Sequence, residues 1–217
     1  MSQFIEPLIL YAVLFLRFFA LPAMPEAPFE FSAAAAAASL VLHTGPSLAL
    51  VWYMLLRAKS LKEWGVTRPG RKDALPALAS LAAISLVGFA VSAAANRFGG
   101  LPEVPRILPP TEAVPWAVLA VSVFAGAYLE ESFFRFYLLS KRDGESAGYM
   151  GLGPHRAVFV STLLFAFCHA YAGPWGFVNA AVSGAVLSYV FLWSRSLHGV
   201  SIAHGVYNLA VFALGPA

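Results

Sequence analysis

Seven long apolar stretches, separated by short polar or Pro/Gly-rich breaks, constrain the fold of this chain most strongly. A helix needs about 20 mostly apolar residues to cross the hydrocarbon core of a bilayer, and each stretch approaches or exceeds that length. Strands of membrane barrels alternate apolar and polar residues, whereas the alanine run 33–38 does not alternate. We therefore predict an all-α fold, a polytopic transmembrane helical bundle with about seven spans. The predicted spans are 4–22, 31–57, 75–95, 113–140, 156–173, 176–194 and 199–214.

The composition of the chain fits integration into a lipid bilayer. Of its 217 residues, 59% are hydrophobic and only 12% are charged, and the mean hydropathy is +0.73. Soluble domains carry about 25% charged residues, so this surface is too apolar for water. We expect a single integral membrane domain over 1–217. The lone cysteine, Cys168, excludes an internal disulfide and a cysteine-rich metal site.

The distribution of Lys and Arg between the loops predicts the orientation of the chain. Cations cluster in segment 57–73 and after the fourth span, at Lys141 and Arg142, whereas the opposite loops carry only Arg97 and Arg106. The positive-inside rule then places the N-terminus in the cytoplasm and the C-terminus outside. The compact, alanine-rich chain favours a bacterial inner membrane. Because its basic residues cluster in loops, the net charge of +3 does not indicate a nucleic-acid partner.

Three charged residues interrupt the fourth apolar stretch: Glu130, Glu131 and Arg135. Each costs roughly 2.5 to 3.5 kcal/mol at the centre of a span, so their presence indicates a function. Consecutive helical residues differ by about 100°, so the two glutamates face different ways. Glu131 precedes Arg135 by one turn, which favours an ion pair that stabilises the bundle. Glu130 has no such partner, and a desolvated carboxylate can act as a general base.

Two later apolar stretches carry further polar groups at helical spacing. Phe165 and His169 are one turn apart, although taken alone this histidine fits a buried packing role as well. His204 and Asn208 are also one turn apart and can both donate hydrogen bonds, as an oxyanion hole requires. Counted from the presumed inner helix ends, Glu130, His169 and His204 lie roughly 15, 20 and 8 Å deep. They can meet only if helices are tilted or broken.

These residues form an ordered set of three motifs. Residues 130–135 fit EExxxR, residues 165–169 fit FxxxH, and residues 204–208 fit HxxxN. In this order, on successive apolar stretches, the motifs resemble those of the CAAX protease and bacteriocin-processing (CPBP, or Abi) family of intramembrane proteases. The resemblance covers 113–214.

The resemblance implies a catalytic core over 113–214 that hydrolyses a peptide bond. It implies that Glu130, together with His169, activates a water molecule. His204 and Asn208 then stabilise the oxyanion of the tetrahedral intermediate. The supporting residues are Glu131, Arg135 and Phe165.

No cofactor is favoured by the sequence, although zinc is an alternative. The family was long described as metalloproteases, and Glu130, His169 and His204 offer three zinc ligands with a fourth position for water. The better-understood members look glutamate-dependent, and this chain has no HExxH pair. We therefore favour the metal-free mechanism.

The predicted partner is a membrane-associated protein or peptide, cut near its C-terminal tail. This substrate is either a prenyl-CAAX protein or a protein with a sorting tail of the kind that myxosortases process. Two other classes of function stay open. Intramembrane Glu, His and Arg also mark ion or proton transporters, and a non-catalytic immunity or scaffold protein would bind a peptide in the same groove.

Overall fold

Helices make up most of the computed structural model, which describes residues 5–19, 29–99, 107–140 and 152–214. Seven helices lie within these ranges, and five are long and apolar enough to cross a membrane. The predicted transmembrane helical bundle is therefore confirmed. The helices are α1 (Ile5–Phe15), α2 (Ala33–Leu56), α3 (Arg71–Phe98), α4 (Ala113–Tyr137), α5 (Pro154–Phe167), α6 (Gly173–Ser194) and α7 (Leu197–Leu214).

The first helix is shorter than the span predicted for it. It ends at Phe15 and continues as a 3₁₀ turn over Leu16–Phe19. Parts of two sequence predictions cannot be compared with the structure, because residues 4 and 20–22 of the first span lie outside the described residues. The same holds for loop cations used to predict the orientation, namely Arg106, Lys141 and Arg142.

The fifth helix also ends earlier than predicted. The apolar stretch 156–173 is helical only to Phe167, and a separate 3₁₀ turn follows over Ala170–Ala172. Gly173, directly after this turn, has a positive φ of 77°, which glycine adopts more readily than other residues. Pro174 then stands at the start of α6, where its missing N–H costs no hydrogen bond. The predicted span was wrong at this end because the break lies inside a run of apolar residues.

Two of the spanning helices contain a π-helical turn. In α2 this turn covers Leu40–Thr44 and directly precedes Gly45 and Pro46. Proline lacks the N–H that an α-helix needs, and the wider turn lets the helix continue through it. In α4 the π turn covers Ser132–Tyr137, immediately after the two glutamates. Such turns are frequent at functional sites.

The α4 helix lies in the middle of the bundle. It packs against α2 and α7, while α3 packs against α6 and α7, and α5 against α6. Aromatic rings of its π turn meet α1, with Phe15 centred 5.3 Å from Phe133 and 4.9 Å from Phe134. Two short strands, β1 (Phe29–Glu30) and β2 (Ile107–Leu108), pair in parallel before α2 and α4. All the side chains of the π turn are buried.

Large apolar side chains cover the outer faces of the helices. Leu86 and Phe89 on α3 are 70% and 72% exposed, and Trp193 on α6 is 64% exposed. In water such surfaces would be unfavourable, whereas lipid solvates them well. The exposed faces therefore agree with an integral membrane protein.

A buried hydrogen-bond chain joins the start of α3 to the start of α7. The Asp73 carboxylate accepts from the Gly70 N–H at 2.8 Å and from the Ser196 hydroxyl at 2.5 Å. The Ser196 oxygen in turn accepts from the Gly199 N–H at 2.9 Å. Arg195, in the left-handed conformation with φ 55°, closes the turn between α6 and α7. These hydrogen bonds hold α7, the helix that carries His204, against α3.

We predict that Ser196→Ala lowers the free energy of unfolding by about 1 to 3 kcal/mol, because it leaves the buried Asp73 carboxylate and the Gly199 N–H each one partner short. Reversible unfolding in detergent micelles measures the change. Ser80→Ala is the matched control, since that hydroxyl is buried without a hydrogen-bond partner among the described residues. Equal losses in both variants would contradict the role given to Ser196.

Candidate active site

A single buried carboxylate oxygen connects the fourth and seventh helices. Oε1 of Glu131 lies 3.0 Å from Nη1 of Arg135 and 2.8 Å from Nδ1 of His204. The side chains of Glu131 and Arg135 are fully buried. The predicted i, i+4 ion pair is present, and a carboxylate-to-histidine bond that sequence spacing does not indicate accompanies it.

The Arg135 guanidinium is enclosed by further contacts. Its Nη2 donates to the Gly184 carbonyl at 3.2 Å, and its Cζ lies 4.4 Å from the centre of the Phe165 ring. A buried charge needs such a partner set, because its desolvation is costly. Gly184 leaves room for this arrangement: a Cβ there would come within 2.9 Å of Phe165.

His204 lies between the two glutamates. Its Nδ1 faces Glu131, and its Nε2 lies 3.7 Å from Oε2 of Glu130. Because a carboxylate only accepts, Nδ1 must donate, and this bond orients the ring. The structure therefore brings Glu130, Glu131, Arg135 and His204 together from two sequence motifs.

Glu130 faces a cavity of about 490 Å³, as expected from its rotation away from Glu131. The Glu130 side chain is 19% exposed, whereas that of Glu131 is fully buried. Among the described residues that line this cavity, Glu130 is the one predicted site residue. The other polar lining residues are Arg17, Ser39, Thr44 and Ser122. The carboxylate is thus accessible to a molecule that enters between the helices.

His169 lies beyond the end of α5, on non-helical backbone. Its Nδ1 is 2.9 Å from the Phe165 carbonyl oxygen, which only accepts. The ring therefore carries its proton on Nδ1 when neutral, and Nε2 keeps a free lone pair. The Phe165 ring is centred 4.6 Å from His169 and 6.0 Å from His204. One aromatic ring thus separates the two imidazoles.

Asn208 lies one turn after His204 on α7 and is half-buried. Within the described residues, neither it nor His169 makes a hydrogen bond or ion pair with Glu130 or Glu131. The structure therefore holds His169 beside the Phe165 ring and Asn208 on the helix of His204, and it joins neither directly to the two glutamates.

Comparison with known proteins gives a family match for the segment that carries these motifs. Residues 112–210, which contain all three motifs, match the family model described as type II CAAX prenyl endopeptidase Rce1-like. This family model is one of the CPBP family. The resemblance seen in the motifs is thus confirmed, and the family is one of intramembrane CAAX-type endopeptidases. No characterised protein and no solved structure gives a significant match.

The zinc alternative requires that its candidate ligands lie together. Among the described residues, no three or more His, Cys, Asp or Glu side chains cluster so as to hold a metal ion. The three candidate ligands, Glu130, His169 and His204, are described but do not form such a group. Their arrangement does not fit a zinc centre, and no chemical step is assigned to a metal.

Sequence reasoning missed one cavity residue outside the segment 112–210. Arg17 lies within the first predicted span, 4–22, and it lines the same cavity as Glu130. The signal was available, because an ionisable residue inside a span is by default a candidate for function. What was missing was the position of α1 beside α4, which a sequence pattern does not give.

We predict that Gly184→Ala lowers the free energy of unfolding by about 1 to 3 kcal/mol, because the added methyl group overlaps the Phe165 ring that covers Arg135. Thermal unfolding in detergent measures the loss. Gly126→Ala is the control, since a Cβ there meets nothing within 4 Å. The packing argument fails if Gly126→Ala is the more damaging change.

Proposed function

We propose that the protein is an intramembrane endopeptidase that hydrolyses a peptide bond of a membrane-associated protein near its C-terminal tail. The observation that carries this proposal is the unequal placement of two adjacent carboxylates. Glu131 is neutralised and fully buried, while Glu130 lies on the wall of the cavity. The family match over 112–210 supports the protease class.

In the proposed mechanism Glu130 acts as the general base. Its carboxylate accepts a proton from a water molecule in the cavity, and the water oxygen attacks the carbonyl carbon of the scissile bond. The protonated Glu130 then gives this proton to the nitrogen of the departing amine as the C–N bond breaks. His169, whose Nε2 keeps a free lone pair, accepts a hydrogen bond from the same water and orients it.

His204 and Asn208 form the proposed oxyanion hole. Because Nδ1 of His204 donates to Glu131, donation to an oxyanion must come from Nε2, which requires a proton on both ring nitrogens. Such an imidazolium balances the charges of the cluster, in which two carboxylates otherwise face the single guanidinium of Arg135. The Asn208 amide, one turn further along α7, supplies the second N–H.

The substrate and the membrane orientation are parts of the same proposal. We propose a tail peptide as substrate, of prenyl-CAAX type or of the sorting-tail type. The N-terminus then lies in the cytoplasm of a bacterium and the C-terminus outside the inner membrane, as the loop cations predict. Zinc-dependent hydrolysis, ion transport and a non-catalytic immunity or scaffold role are the competing outcomes of the test.

We predict that Glu130→Gln lowers cleavage of tail peptides by about 100-fold or more, because a glutamine side chain does not accept the proton of the attacking water. Wild type and variant are purified in detergent and compared on a panel of farnesylated and unmodified tail peptides. The variant should unfold at nearly the wild-type temperature, since Glu130 has no buried ion-pair role comparable to that of Glu131.

Glu131→Gln is the paired comparison. It leaves the buried Arg135 charge without its carboxylate, so we expect a loss of about 3 to 5 kcal/mol in stability. Full cleavage by Glu130→Gln would remove this residue as the base. If a chelator abolishes cleavage by the wild type and added zinc restores it, the metal-dependent alternative is favoured. If Glu130→Gln keeps the biological effect of the wild type, a scaffold role is favoured.

A further inference from the structure

A guanidinium shares the cavity wall with the proposed catalytic carboxylate. Arg17 stands in the 3₁₀ turn after α1, and its side chain lines the cavity together with Glu130. Its Cζ lies 4.7 Å from the centre of the Phe18 ring. No carboxylate of the described residues lies within ion-pair distance of it, although its charge interacts with that of Glu130. The cation thus has unused hydrogen-bonding capacity.

The rest of the cavity wall is mostly apolar. Its largest side chains are aromatic, and its other apolar side chains come mostly from helices. The aromatic lining residues are Phe15, Phe18, Phe31 and Phe212. A cation on such a wall binds an anion strongly, because little water competes for it. The negative charge of Glu130 repels that anion and leaves Arg17 as its place of binding. The cavity therefore suits a ligand with apolar groups and one anionic end.

A second polar group near Arg17 also lacks a partner. His43, in the π turn whose Leu40 and Thr44 line the cavity, lies close enough to interact with the Arg17 charge. Its Nδ1 is buried with no hydrogen-bond partner among the described residues. Buried polar atoms normally have partners, so this nitrogen marks an unsatisfied polar position in the π turn next to the cavity.

Three ring contacts connect Arg17 to His169. The guanidinium lies over Phe18, the Phe18 ring stacks on Tyr171 at 6.1 Å, and Tyr171 stacks on His169 at 6.3 Å. An extended chain covers about 3.3 to 3.6 Å per residue, so this path corresponds to about five residues or fewer. A peptide bond placed at the catalytic groups therefore lies only a few residues from a chain end bound at Arg17.

We propose that Arg17 binds the free carboxylate at the C-terminus of the peptide substrate. This inference rests on the proposed protease function and assigns to Arg17 the position of the substrate's terminal carboxylate. A guanidinium binds a carboxylate through two parallel hydrogen bonds, which positions the chain as well as holding it. A peptide without a terminal carboxylate is then a poor substrate.

The competing explanation is that Arg17 only balances the negative charge of Glu130. In that case the loss of Arg17 slows every substrate by the same factor, whatever the chemistry of its terminus. Carboxylate binding instead makes the loss specific to peptides that end in a free acid. Peptides that differ only at this group separate the two explanations.

The test uses a dye-labelled peptide that ends in a farnesylated cysteine and three apolar residues, made as the free acid and as the C-terminal amide. We expect wild type to cleave the acid about 10- to 100-fold more efficiently in kcat/KM. Arg17→Gln should cleave both forms at the low rate of the amide, and Arg17→Lys should keep part of the preference. Arg97→Gln, which removes a cation 5.7 Å from the Phe98 ring at the far end of α3, is the matched control and should keep the full preference.

A binding measurement makes the result independent of cleavage. Fluorescence anisotropy of the same two peptides is recorded with Glu130→Gln and with Glu130→Gln combined with Arg17→Gln. Tighter binding of the acid by the first protein, lost in the second, supports the proposal even if neither peptide is cleaved and the protease function fails. Equal handling of acid and amide by wild type, a preference that survives Arg17→Gln, or no binding of either peptide overturns it.

Discussion

The buried contact of Glu131 with Arg135 and His204 is the interaction on which the site depends. The Glu131 carboxylate oxygen contacts the Arg135 guanidinium on its own helix and an imidazole nitrogen of His204 on α7. The contact therefore fixes the distance and rotation between two helices that carry different motifs. Arg135 extends the connection to α6 through the Gly184 carbonyl. A charge buried to this degree is stable only with these partners, so the same contact stabilises the bundle and orients His204.

Two neighbouring glutamates have different environments because of helix geometry. A rotation of about 100° per residue turns Glu130 away from Glu131 and Arg135 and towards the cavity. The π turn that begins at Ser132 then carries four aromatic rings into the core against α1, α2 and α5. Glu130 is consequently held by a rigid element yet is accessible from the cavity, as a general base must be.

The sequence predicted what depends on neighbours along one helix. Apolar length predicted the seven helical segments, and the four-residue spacing predicted the Glu131 and Arg135 ion pair. It did not predict the bond from Glu131 to His204, because helical periodicity carries no information about which faces of distant helices meet. Nor did it place Arg17 in the cavity, since α1 lies far from α4 in the chain.

Helix geometry alone predicted that His169 and His204 lie at different depths in the membrane, and the break after α5 accounts for part of this difference. A continuous helix over 156–173 would have placed His169 well away from His204. The helix instead ends at Phe167, and His169 is held by the Phe165 carbonyl with only the Phe165 ring between the two imidazoles. A break of this kind is hard to see in sequence, because the residues around it remain apolar. The helix-breaking residues Gly173 and Pro174 come only several residues later, at the start of α6.

The central claim is that a carboxylate at position 130, reached from the cavity, performs the chemistry, and chemical rescue tests it most directly. Glu130→Ala and Glu131→Ala are each assayed for peptide cleavage with added sodium formate, against sodium chloride at the same ionic strength. Our account predicts that formate restores part of the activity of Glu130→Ala, because the cavity admits the small carboxylate. It predicts no rescue of Glu131→Ala, whose fully buried site supports the fold. Rescue of Glu131→Ala alone, or wild-type cleavage by Glu130→Ala without formate, would contradict it.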